Sequence, residues 1–78
     1  MAEKTDADRI KETYTLCTTH FGDVKFVGIK YHSKIGWLAK AQLGEGFENL
    51  TADGKTSTEA IKNLRSRVKK IIKRYNGV

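Results

Sequence analysis

The sequence predicts an α+β domain: a three- or four-stranded antiparallel sheet packed on one face by a long C-terminal amphipathic basic helix. Three observations carry this reading. Toward the C-terminus, Ala60, Ile61, Leu64, Val68, Ile71, Ile72 and Tyr75 recur three and four positions apart, which places them on one stripe of a helix. Between Lys25 and Leu43, two segments rich in β-branched and aromatic residues alternate with period two. At 78 residues the chain can hold one core and no second domain.

Taken from the N-terminus, residues 1–12 read as a loose polar tail, and residues 13–78 as the folded domain. Two patterns compete in the segment that follows. Thr13 to Thr19 have strand propensity, whereas Ala7, Ile10, Tyr14, Cys17 and Phe21 fall at helical spacing. The strand reading is favoured for Thr13 to Thr19 and would add the fourth strand, with Phe21-Gly22-Asp23 as the turn after it.

Lys25 to His32 and Gly36 to Leu43 then form a hairpin around Ser33-Lys34-Ile35. If Val27, Ile29 and Tyr31 pack with Trp37, Ala39 and Ala41 against the helix, alternation puts Phe26, Lys30, His32, Leu38, Lys40 and Gln42 on the opposite face. A third strand is expected from about Phe47 to Thr51, after the turn Gly44-Glu45-Gly46 and before Asp53-Gly54. The helix is expected from about Thr56 to Tyr75. Thr56 and Glu59 have capping-box spacing at its start, and Asn76-Gly77 suits a left-handed exit at its end.

Charge is segregated along this frame. The formal net charge is +6, yet no acid interrupts Lys25, Lys30, Lys34 and Lys40, and none follows Lys62, Arg65, Arg67, Lys69, Lys70, Lys73 and Arg74. Segregated basic surfaces concentrate polyanions, whereas interspersed charge serves only solubility. The apolar stripe of the helix is needed by the sheet, which leaves little to insert into lipid, so no membrane partner is expected. There is no 18-residue apolar run and no basic-then-apolar leader at Met1, and the reading is therefore a cytoplasmic protein.

The remaining motifs argue against chemistry. Gly54-Lys55-Thr56 is like the tail of a phosphate-binding loop, but Asn49 stands where that loop requires a glycine. An ordinary helix cap is the favoured reading there, ahead of a single phosphate held by the free amides and Lys55. Cys17, His20 and His32 fall short of the four ligands of a closed zinc site, so no metal is expected. Cys17 reads as a small core hydrophobe. Neither histidine has a nucleophile or carboxylate arranged around it as in a triad, so the expectation is a non-enzyme without catalytic residues or cofactor.

Three family resemblances bear on function. Gly36-Trp37-Leu38-Ala39 followed by Gly54-Lys55-Thr56-Ser57-Thr58-Glu59-Ala60 resembles the HicB-like antitoxin domain, which implies binding to a small RNA-cleaving protein. Gly28-Ile29-Lys30-Tyr31 with Trp37-Leu38-Ala39-Lys40-Ala41 is similar to the ethylene-response-factor and integrase-arm class of DNA-binding domains. That likeness implies a sheet laid in the major groove, with Lys30, His32, Lys40 and Gln42 facing it. Gly54-Lys55-Thr56 and the Glu59-Ala60 helix start resemble double-stranded-RNA-binding domains, which implies a helical N-terminal segment.

The leading expectation is a small nucleic-acid-binding regulator whose partner is duplex DNA or RNA. Its contacts would be Lys30, His32, Lys34, Lys40 and Gln42 on the sheet, with Lys62, Arg65, Arg67, Lys69, Lys70, Lys73 and Arg74 on the helix. The alternative is a protein-binding inhibitor or antitoxin of HicB-like type, phage- or mobile-element-encoded, with a single host enzyme as partner. Homodimerisation through an exposed strand edge stays open.

Overall fold

The computed structural model describes residues 4–44 and 47–76, with side chains as far as Arg74. Five elements follow in the order α1 (Asp6–Phe21), β1 (Val24–His32), β2 (Gly36–Leu43), β3 (Leu50–Gly54) and α2 (Ser57–Asn76). The strands form one antiparallel sheet in the order β1-β2-β3. α2 lies across all three strands and chiefly on β3, while α1 lies beside α2 against β1. One face of the sheet is thus covered by two helices, and the other is bare.

The N-terminal reading is corrected. Asp6 to Phe21 is a helix, so the domain starts well before Thr13, residues 6–12 are not a tail, and Thr13 to Thr19 are not a strand. Thr5 caps the helix in a reciprocal box: its hydroxyl accepts from the Asp8 amide at 3.1 Å, and the Asp8 carboxylate accepts from the Thr5 amide at 3.1 Å. The threonines fit because their hydroxyls donate back to the preceding turn, Thr13 to the Arg9 carbonyl at 2.8 Å and Thr19 to that of Thr15 at 2.8 Å. Helical spacing then buries Thr13, Cys17 and Phe21 on one side.

The hairpin follows alternation. Val27 pairs with Ala41, Ile29 with Ala39 and Tyr31 with Trp37, all on the helix side. Of the last pair only Trp37 packs against the core, however. Tyr31 therefore meets Trp37 edge-on at 5.3 Å between ring centres while 64% exposed, instead of entering the core. At the other end of β1 the register shifts between Val24 and Phe26, a bulge with Lys25 as the extra residue. Without it these two side chains would share a face; with it Val24 is buried and Phe26 projects from the bare side.

β3 begins at Leu50 and runs to Gly54, later than the expected Phe47 to Thr51. Phe47 does not enter the strand; its ring packs on Phe21 at the end of α1, 5.0 Å between centroids. Leu50 and Ala52 face inward, and Asp53 and Thr51 outward opposite Leu38 and Lys40. Gly54 is obligatory, since a Cβ there would lie 2.6 Å from the Ala60 amide nitrogen in the first turn of α2.

Thr56 caps α2, accepting from the Glu59 amide at 3.0 Å. Ala60, Ile61, Leu64 and Val68 are fully buried and meet Ala39, Ala41, Leu43, Leu50 and Ala52 from the sheet and Cys17 and Phe21 from α1. Ile71 and Ile72 complete the stripe at half-burial; the side chain of Tyr75, Gly77 of the expected helix exit, and the Glu45-Gly46 part of the expected turn lie outside the described residues.

Candidate nucleic-acid interface

The bare face of the sheet is built by β1 and β2. Cross-strand pairing sets Phe26 opposite Gln42, Gly28 opposite Lys40 and Lys30 opposite Leu38. These six residues, with Ile29, line a concavity of about 330 Å³. Its floor is Gly28. A Cβ on Gly28 would sit 2.5 Å from the Cζ atom of Phe26, so the tip of that ring lies over the glycine and buries it. An aromatic side chain covering a glycine two positions along the same strand is a recurrent way of filling a gap in a sheet face. Phe26 itself remains 49% exposed.

Lys30 and Lys40 are diagonal neighbours across the strands, Lys40 opposite the glycine that the ring covers and Lys30 two positions beyond that glycine. No acid occurs between Val24 and Gly44, and the nearest carboxylate on this face is Asp53 of β3, opposite Leu38. The surface is therefore cationic around an apolar centre. His32 sits at the strand end, where its Nδ1 accepts from the Lys34 amide at 3.3 Å, which leaves Nε2 to carry the proton of the neutral ring. Lys34 is in the exposed hairpin turn, removed from the concavity.

The helix cations do not form one surface with the sheet set, because α2 occupies the covered side. They also divide among themselves. Arg67, Lys70 and Arg74 share the flank of α2 toward β3, where with Glu48, Leu50 and Ile71 they line a groove of about 500 Å³. On that same flank Asn63 donates its side-chain amide to the Asp53 carbonyl at 2.9 Å, closing part of the open β3 edge. Arg65 turns the other way, to α1, and its Nη1 lies 3.5 Å from a Glu12 oxygen that also accepts from Lys4 at 2.9 Å. These two cations hold the Glu12 carboxyl below the usual glutamate range, Lys4 most strongly. Lys62 lies beside Lys4, Arg9 and Thr58 near the start of α1, and Lys69 and Lys73 are exposed.

The start of α2 is already occupied by an anion of the protein. The Asp6 carboxylate accepts from the Ser57 hydroxyl and from the Thr58 hydroxyl, the latter at 2.6 Å. Ser57 chiefly, then Thr58 and the Arg9 guanidinium 3.8 Å away, hold this carboxyl below the ordinary aspartate value. The favoured reading of Gly54-Lys55-Thr56 as a cap therefore stands, and a phosphate there would have to displace Asp6.

Cys17 is completely buried, and burial pushes its thiol up to about 11. Among the described residues no group of three histidine, cysteine or carboxylate side chains lies close enough to hold a metal ion. No described helix is long and apolar enough to cross a membrane. Phe26 and Leu38 are the residues that reading the sequence placed on this face without counting them in the site. The signal for Phe26 was the Phe-x-Gly spacing on an outward-facing strand. Compared with family models, curated proteins and solved structures, the chain matches none of them.

Proposed function

We propose that the chain is a small nucleic-acid-binding protein that docks through the bare face of its sheet. The observation that carries the reading is the placement of Lys30 and Lys40, diagonal across the strands, beside the exposed Phe26 ring, on two strands that hold no acid. Cations supply phosphate neutralisation and counterion release, and an aromatic face supplies contact with a base. Gln42 adds a side-chain amide able to donate to and accept from base edges. The groove at Arg67, Lys70 and Arg74 supports a second set of phosphate contacts.

The test is retardation or anisotropy of labelled DNA and RNA, single- and double-stranded, over a salt series. Affinity is expected to fall steeply with salt, and Lys30→Glu with Lys40→Glu to weaken binding at least about tenfold and flatten the salt slope by about one per lysine. No binding of any form at low salt, together with capture of one stoichiometric protein partner that survives nuclease, overturns the proposal in favour of the inhibitor reading.

A further inference from the structure

The reading above leaves open which form of nucleic acid the surface takes. Resting on it, we infer that the ligand is single-stranded, with an unpaired base stacked on Phe26 and the strand continuing round the β3 edge to Arg67, Lys70 and Arg74.

Two features of the geometry point there. The first is the chemistry of the concavity. It is lined by the apolar side chains of Phe26 and Leu38 together with Lys30 and Lys40. A base paired within a duplex shows only its edges, whereas an unpaired base can turn its flat face onto an aromatic ring. The exposed groups here are an apolar surface for such a face and cations for the adjoining phosphates, which is the composition of a stacking platform.

The second is the placement of the cations on two layers. The sheet set and the Arg67 groove are separated by β3, and Leu50 at the start of β3 lines that groove while its neighbour Thr51 stands on the bare face opposite Lys40. The three strands span only about 10 Å between β1 and β3. The whole molecule measures 22 Å along its shortest axis. A flexible strand can bend round such an edge within a few nucleotides, whereas a stiff duplex, whose persistence length is about 150 base pairs, must be deformed at a cost to do so. A single strand is therefore the ligand that joins both cation sets with the least deformation.

The experiment compares oligothymidylate and oligouridylate of about 4 and about 12 nucleotides with duplexes of the longer length, by anisotropy at low salt. The longer single strands are expected to bind at least about tenfold more tightly than the duplexes. Phe26→Ala and Phe26→Leu should each lower single-strand affinity about tenfold, while Phe26→Tyr retains it. Lys70→Glu with Arg74→Glu should weaken the longer strand and leave the shorter one unchanged. Equal affinity for strand and duplex, or Phe26 variants that bind strand as well as the parent, overturns this inference while the nucleic-acid function stands. Failure of every oligonucleotide to bind overturns both. The thymidylate and uridylate arms distinguish DNA from RNA as the source of the strand.

Discussion

The Thr58 hydroxyl donates to Asp6 across 2.6 Å, joining the first turn of α2 to the first turn of α1, 52 residues away in sequence. The carboxylate thereby lies near the amino ends of two helices, where the backbone dipoles of both favour negative charge. Its lowered pKa makes the linkage sign definite. The stabilisation is complete above the unfolded aspartate value and is lost as pH falls through the lower, folded value. Asp6→Asn should therefore lower the melting temperature at neutral pH and reduce the loss seen on acidification. Superimposable acid limbs for the parent and the variant, in thermal unfolding followed by circular dichroism, would refute this role.

Gly54 tests the packing of α2 on β3. An added methyl group meets the backbone of Ala60 and Glu59, which cannot swing aside as a flexible side chain would. Gly54→Ala is expected to destabilise by more than about 1 kcal/mol, measured by urea unfolding, even though Gly→Ala at a compatible strand position is neutral or stabilising. Leu64→Ala, at a fully buried position of α2, should cost about 2–5 kcal/mol in the same assay.

Gly28 makes the opposite case. There the atom in the way is the end of an exposed ring, so Gly28→Ala should move Phe26 and leave the fold intact. Stability is expected to stay the same or rise by about 0.5 kcal/mol, while single-strand affinity falls as far as in Phe26→Ala. Undiminished binding by a folded Gly28→Ala protein would show that the seated position of the ring is irrelevant.

Cys17 should be chemically silent in the native protein. The thiolate is the reactive form, and the thiol is both buried and pushed up to about 11. At pH 8, modification by a disulfide reagent is expected at the rate of global opening and to become immediate in denaturant. Fast native-state labelling would mean that α1 leaves the sheet readily.

The hairpin was legible in the sequence because pleat and turn acted together: Val27, Ile29 and Tyr31 had one face available once Ser33-Lys34-Ile35 set the turn, and their partners Ala41, Ala39 and Trp37 followed. α2 was legible from its stripe and cap, whereas the seating of Arg67, Lys70 and Arg74 on the flank toward β3 emerged with the packing of α2 on β3. α1 was misread because threonine's strand propensity reflects its branched Cβ, while the hydroxyl's bonds to Arg9 and Thr15 and the burial of Cys17 and Phe21 are tertiary and local gains that propensity does not count. Phe47 was drawn out of β3 by the Phe21 ring, a contact between distant segments. Of the site, the lysines could be placed by alternation, but the seat of Phe26 on Gly28 and the turn of Arg65 to Glu12 depend on side-chain conformation and on the unread helix.

The extra residue at Lys25 makes the two ends of β1 independent of each other. Val24 answers to the core and everything from Phe26 onward to the hairpin register, so the strand can satisfy both without a compromise in either. Removing Lys25 would force a choice: either Val24 surfaces, or Phe26 turns under the helices and the whole outward row of β1 inverts. A one-residue deletion at this position thus sets a core side chain against an exposed aromatic, so the length of β1, and not its composition alone, decides which side chain faces solvent.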